Sequence, residues 1–316
     1  MKIDILQFLR DKLEKPGTPL FYADPIKRKL MWRLYCMKMG MRRELSGREM
    51  FRGIFMSQSR KRDVDDKITA SIRKNCNVVF EKAGLYDKPD ALLWGQTLYP
   101  EPVQNAFESW YWTFILLLLI VRGDQYRTKQ FLRSRCVVID AGANIGIYAI
   151  MAARIASAGT IYAFEPSGGV YEVLARNVFP YSNVKIEKAA LGESECQGRR
   201  LVVDVNSTIS STLSDSGVSE IVSSTSEMVP VTTIDSYVNK KRIERVDFIK
   251  MDVEGYESKV LSGAEKIIRR DTPSMVMSAY HKPEDIVELP RQVAAIEPRY
   301  KMHFNRNIET DLVCNI

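Results

Sequence analysis

Hydrophobic patterning divides the chain near position 136. Before it, apolar residues recur at helical spacing: Ile5, Leu9 and Leu13 repeat until Pro16-Gly17, and Ile68, Ile72, Cys76 and Val79 repeat the pattern up to Gly84, which is placed as a C-cap. Met31, Leu34, Tyr35, Met37 and Met39 alternate with Lys and Arg, a stripe that reads as a packed face. Residues 85–102 carry loop residues (Asp87-Lys88-Pro89, Trp94-Gly95, Pro100, Pro102), and 103–121 read as a buried helix. From Cys136 onward, short β-branched runs alternate with helical spacing. Strands are predicted at Val137–Ile139, Ile161–Phe164, Val184–Ala189, Val246–Asp252 and Ser274–Tyr280, with a closing pair at Tyr300–Phe304 and Asp311–Ile316. Between them lie helical patterns through Ile147 to Ile155, Val170 to Asn177, Val260 to Ile268, and onward from Pro283. Strands separated by ten- to fifteen-residue helices mean βαβ units and a parallel sheet. Residues 207–226 break the rhythm: 12 of the 20 are Ser or Thr, which predicts a loop, a flap or an irregular hairpin.

Composition narrows the class. With 316 residues, 45% apolar and 27% charged, the chain is an ordinary globular one. Two histidines exclude a multi-histidine metal centre, and no spacing calls for a metal at all. Five scattered cysteines without a C-x-x-C pair argue against a disulfide framework or a structural zinc and suit a reducing cytosol. The first 15 residues mix charges into their apolar positions, unlike a signal peptide, and the longest apolar run (Tyr111 to Val121) is too short to span a bilayer. Charge is uneven. Residues 1–135 hold 26 basic against 15 acidic side chains, peaking between Lys27 and Arg62, whereas the remainder is net acidic. A basic front half is a solvated helical surface or a platform for phosphates, nucleic acid or an anionic membrane face.

The richest chemistry lies at Val137-Val-Ile-Asp-Ala-Gly-Ala-Asn-Ile-Gly146, where a strand runs into a helix. Gly142 and Gly146 permit a tight turn and close approach of a ligand, and the helix start offers free N–H groups. A dinucleotide loop would read G-x-G-x-x-G; this one reads D-x-G-x-N-x-G. An acid at the strand end repels a pyrophosphate but suits a cationic amino-acid tail. Nineteen residues after Gly146, Glu165 ends the next strand, where a carboxylate can accept both hydroxyls of a ribose. Together these features fit S-adenosylmethionine better than a nicotinamide dinucleotide. Tyr237-Val-Asn-Lys-Lys241 spells the Y-x-x-x-K of some dehydrogenases, but the glycine spacing is wrong for that class.

The segments Val138–Gly146, Ala163-Phe-Glu-Pro166, Lys188-Ala-Ala-Leu-Gly192, Val231-Thr-Thr-Ile-Asp235, Phe248–Gly255 and Tyr280–Asp285, in this order, resemble the FkbM-type family of S-adenosylmethionine-dependent methyltransferases. The resemblance covers about Tyr126 to Ile316. It implies an α/β, Rossmann-like class I methyltransferase domain over 126–316, with a mostly parallel seven-stranded sheet and an antiparallel last strand, preceded by a helical basic region over 1–125. It also implies that Asp140, Gly142, Asn144 and Gly146 line the methionine and ribose side, that Glu165 takes the ribose and Ala190 flanks the adenine, and that Tyr126 closes over the cofactor.

In open parallel sheets ligands lie beyond the carboxyl ends of the strands, so Asp252, Glu254 and His281 should rim one crevice. His281 and Asp252 are the candidate bases, with Lys250 and Glu254 as supporting charges. Asp252 is equally placed to hold the cofactor ammonium or the acceptor, and a divalent ion between Asp252 and His281 or Asp285 is a third arrangement, outside the main expectation. His303 reads as surface or core. The expected activity is O-methylation of a sugar, a glycan or a secondary metabolite in the cytoplasm. RNA ribose methylation on the basic front half and cofactor binding without turnover are the competing readings. The front half could equally cap the sheet, form an acceptor wall, dimerise or dock on a membrane.

Overall fold

In the computed structural model, the described residues are 124–204, 207–213, 224–305 and 310–316, three short strands between 78 and 98, and a few positions from 99 to 121. The expected N-terminal helices over 5–13 and 68–76 and the basic peak over 27–62 lie outside them.

The main sheet has seven strands in the order β13-β14-β12-β11-β4-β5-β6. These are β4 (Val137–Ala141), β5 (Thr160–Phe164), β6 (Val184–Glu187), β11 (Phe248–Met251), β12 (Ser274–Ser278), β13 (Lys301–Asn305) and β14 (Asp311–Asn315). All neighbouring pairs from β6 to β12 are parallel, and β14 runs antiparallel to both β12 and β13. The order reverses between β4 and β11, so the connections after these strands leave in opposite directions and open a crevice at their carboxyl ends. This is the Rossmann-like class I methyltransferase arrangement. Helices α2 (Ile147–Ile155) and α3 (Gly168–Val178) cover one face, and α4 (Ile234–Lys240), α5 (Glu257–Ser262), α6 (Glu265–Asp271) and α7 (Asp285–Ile296) cover the other. A short helix α1 (Thr128–Phe131) precedes β4. Ile147 to Ala153 are buried without a break, because α2 lies between the sheet and Ile120, Val121, Tyr126 and Leu132.

Three segments differ from the periodicity. The helix expected through Val260 to Ile268 is two helices that meet at Gly263, where a Cβ would lie 2.0 Å from the Gly192 carbonyl oxygen. A close backbone crossing, invisible in the pattern, breaks the element there. The Ser/Thr-rich stretch is no loop at its two ends. Ser207–Leu213 (β9) and Ser224–Thr232 (β10) pair antiparallel on either side of β8 (Cys196–Asp204), and β7 (Ala190–Leu191) completes a second, four-stranded sheet. Its threonines are compatible with strands, and Leu201, Leu213, Val229 and Val231 give the sheet an apolar face. Finally, Val79 falls in a strand, β1 (Val78–Phe80), rather than in the predicted helix. Within the predicted loop, β2 (Ala91–Leu93) and β3 (Gln96–Leu98) extend it into a three-stranded antiparallel sheet. β-branched Val78-Val79 favours extended backbone, and two residues between β2 and β3 are the length of a tight hairpin loop.

Candidate active site

The loop after β4 is held from below. Gly142 takes φ +76°, and a Cβ there would fall 1.8 Å from the Asp252 carbonyl oxygen. Glycine is therefore required by the crossing of two strand ends, and Gly142 also lines the cavity described below. Gly146, at φ +89°, caps α2, and its missing side chain makes room for Leu174 and Val178 of α3; it does not line the cavity described below. Asn144, also left-handed at φ +49°, donates its backbone N–H to Glu165 Oε2 at 2.9 Å.

Asp140 lies deeper. Its carboxylate is fully buried at the end of β4, 3.1 Å from Lys250 Nζ, below the residues that line the cavity. Burial pushes its carboxyl above the usual range although Lys250 opposes this. Lys250 also donates to the carbonyl oxygens of Ala141 and Gly142, and its ammonium lies over the rings of Tyr126 and Tyr148 at 5.2 and 5.8 Å. The pair is a buried strut that fixes the loop from β11. Lys250 also lines the cavity described below.

Above this strut a cavity, partly open to solvent, extends across the strand ends. Glu165 lines it, with Oε1 accepting from Ser167 N–H at 3.0 Å and Oε2 from Asn144 N–H. Each oxygen keeps a further lone pair for a ligand hydroxyl. Burial pushes this carboxyl up to about 7, partly offset by the two backbone hydrogen bonds. Beside it, Phe164, Ala189, Ala190, Leu191, Leu201 and Leu213 form an apolar wall. Leu201, between Arg200 and Val202, and Leu213, between Thr212 and Ser214, come from the second sheet and were not legible as site residues, because an isolated leucine says nothing of which cavity its strand will face.

The opposite side of the cavity is acidic. Asp252 follows β11; its Oδ2 accepts from Tyr126 OH at 2.6 Å, and its Oδ1 from Tyr280 OH at 3.5 Å. Tyr126 stacks edge-on against Tyr148, so it braces Asp252 as well as lining the cavity. Burial favours the neutral acid, but Lys250, His281 and the Tyr126 hydroxyl outweigh it and hold the Asp252 carboxyl below its usual range. Glu254 sits two residues on in a left-handed turn at φ +53°. His281, after β12, brings Nε2 to 3.6 Å from Asp252 Oδ1 and 3.4 Å from Glu254 Oε2, and Nδ1 to 3.0 Å from Glu257 Oε1. Burial opposes a charge on this imidazole, yet Glu254, Glu257 and Asp252 together lift it well above its usual value. Glu257, fully buried at the start of α5, was missed; its acidic side chain inside an amphipathic pattern gave no sign of burial. Asp252, Glu254 and His281 each present a ligand atom, all within 4.8 Å of one another. Asp285 stands apart, capping the Lys282 N–H, and His303 lies on β13. Of the expected catalytic set, Lys250, Asp252 and Glu254 line the cavity, and His281 packs beside Asp252 and Glu254.

A family model described as Methyltransferase FkbM domain matches residues 140–301, just over half of the chain and all of this site's motifs except Tyr126. The chain belongs to the FkbM methyltransferase family. Methyltransferase 1 of Beauveria bassiana (strain ARSEF 2860) is 25% identical over 144 residues, which is 40% of this chain and 58% of that protein. Among solved structures, Methyltransferase FkbM from Methylobacillus flagellatus KT is similar at 20% identity over 58% of this chain and 44% of that one, with a TM-score of 0.44. Aeropyrum pernix fibrillarin, solved with natively bound S-adenosyl-L-methionine, is similar at 13% identity over 58% of this chain and 67% of that one, with a TM-score of 0.36. The similarity to the first two therefore spans roughly half of their length. No helix among the described residues is long and apolar enough to cross a membrane.

Proposed function

We propose that this FkbM-family chain is an S-adenosylmethionine-dependent O-methyltransferase that modifies a hydroxyl of a sugar, a glycan or a secondary metabolite. One observation carries the reading: the cavity at the switch point has an oriented carboxylate, Glu165, at one side, an apolar wall beside it, and a second carboxylate, Asp252, across from it. That donor set fits a nucleoside with a cationic tail. Glu165 would accept from the ribose hydroxyls. Ala190, Leu191, Leu201 and Leu213 would flank the adenine, and the main chain of Gly142 to Asn144, with Tyr126 and Asp252, would face the methionine end. Bound there, the cofactor would supply a methyl group already activated on a sulfonium.

The remaining work falls to the chain's own residues. Holding an acceptor in line can contribute about 7–11 kcal/mol, more than the 10²–10⁴-fold typical of one proton-transfer group. Asp252 is built for positioning, since Tyr126 fixes one carboxylate oxygen and leaves the other toward His281. An acidic rim of Asp252 and Glu254 accepts hydrogen bonds from neutral polyols and repels phosphates, which favours a hydroxylated acceptor over a nucleic-acid backbone.

The test is transfer of labelled methyl from S-adenosylmethionine into glycan, lipid-linked sugar, small-metabolite and RNA fractions. Label should enter a hydroxylated non-RNA fraction. Asp252→Asn should weaken S-adenosylhomocysteine binding as well as reduce the rate by about 100-fold or more. Label in RNA alone would overturn the acceptor class, and failure to bind S-adenosylhomocysteine would overturn the whole reading.

A further inference from the structure

Three carboxylates converge on the imidazole of His281. Its side chain is only 10% exposed, and Nε2 is enclosed with no hydrogen-bond partner. Nδ1, by contrast, lies 3.0 Å from Glu257 Oε1, and Glu257 is itself anchored by accepting the Val253 N–H at 3.0 Å. A buried carboxylate on Nδ1 fixes the ring orientation, and Nε2 is turned toward two more carboxylates, Asp252 Oδ1 and Glu254 Oε2. In the metal-free protein a proton on the ring supplies the counter-charge; a metal ion entering between the three groups would displace the Nε2 proton and take its place.

We propose that Asp252, Glu254 and His281 bind one divalent metal cation at the rim of the cavity, with Glu257 as the positioning residue behind the histidine. The spacing fits. Ligands about 2.1 Å from a shared tetrahedral ion lie about 3.4 Å apart, and the two measured separations from Nε2 are 3.4 and 3.6 Å. The third separation, between the carboxylates, is at most 4.8 Å and closes by a small rotation of exposed-side carboxylates. Tyr126 occupies Asp252 Oδ2, so Oδ1 is the oxygen turned toward the ion. Two carboxylates with one imidazole suit a hard or borderline ion such as Mn²⁺ or Zn²⁺ rather than a thiophilic one. Three protein ligands leave coordination positions open. On the methyl-transfer reading, which this part of the inference rests on, those positions face the cavity and would take a hydroxyl of the acceptor.

The full-length protein, stripped with chelator, is titrated with Mn²⁺ and followed by loss of the free-ion electron paramagnetic resonance signal, with Zn²⁺ titrated by calorimetry. One ion should bind per chain, and pulsed resonance should show ¹⁴N coupling from His281. His281→Ala should abolish that coupling and weaken binding. Glu254→Gln, at a partly exposed position that leaves folding intact, should also weaken it, and Glu257→Gln should weaken it about 10–100-fold. Absence of stoichiometric Mn²⁺ or Zn²⁺ binding, or unchanged affinity in folded His281→Ala and Glu254→Gln proteins, overturns the proposal. S-adenosylhomocysteine binding measured on the same metal-free sample separates the two readings. If it binds and the metals do not, the metal site fails alone; if the metals bind and it does not, the methyl-transfer reading fails alone.

Discussion

Replacing Lys250 by methionine removes the cation from a pair whose members are 3% and 0% exposed and 3.1 Å apart. Methionine keeps the length and apolar character of the lysine stem, so the change isolates charge and hydrogen bonding. Asp140 then remains buried without a partner, a situation that costs about 3–5 kcal/mol, whereas removing both charges together is far milder. Within that total, the carbonyls of Ala141 and Gly142 lose their donor, at about 1 kcal/mol each. We therefore expect Lys250→Met to lose about 3–5 kcal/mol. Lys250→Met with Asp140→Asn should lose only about 1–3 kcal/mol, with most of that from the two carbonyls. Urea unfolding of the single variants and the double variant at neutral pH measures this as a double-mutant cycle, and the single lysine variant should also melt roughly 10 °C lower. The orphaned Asp140, held neutral by burial, would make that variant's stability greatest at low pH and diminishing as pH rises through the raised carboxyl value. If the double variant instead showed the plain sum of the single losses, the two groups would not be coupled and the strut would be a misreading.

Two more outcomes follow from the loop and the cavity. Gly142→Ala forces a left-handed alanine at about 1–2 kcal/mol and drives its Cβ against the Asp252 carbonyl; a sharp drop in melting temperature is expected, and an unchanged melting curve would contradict the strand-end crossing. Glu165 has its carboxyl raised from 4.5 to about 7 by burial. Its contribution to stability in the ligand-free protein is present below the unfolded value and is lost as pH rises through about 7. Hydroxyl acceptance by the carboxylate gains over the same interval, so S-adenosylhomocysteine affinity should rise by up to about tenfold between pH 6 and 8. Glu165→Gln should flatten that profile, and a calorimetric profile that stays steep in the variant would remove Glu165 from ligand contact.

The alternation of β-branched runs with helical spacing from Val137 onward was enough to predict the parallel sheet, because strand and helix periods differ and each run is bounded by turn residues. The acids at strand ends, Glu165 and Asp252, were legible for the same reason: in a sheet with a reversal, strand ends converge. What tertiary structure decided is where backbones cross and which charges meet. Gly142 and Gly263 are glycines because carbonyls from Asp252 and Gly192 pass within about 2 Å of their would-be Cβ atoms, and those partners lie 110 and 71 positions away in the chain. Asp140 is a buried counter-ion to Lys250, since neighbouring parallel strands put residues 110 positions apart side by side. Glu257 carried no signal in the sequence, and the fold placed it behind His281. Periodicity records which face of an element is apolar. It carries no record of which buried polar group another element will bring to meet it.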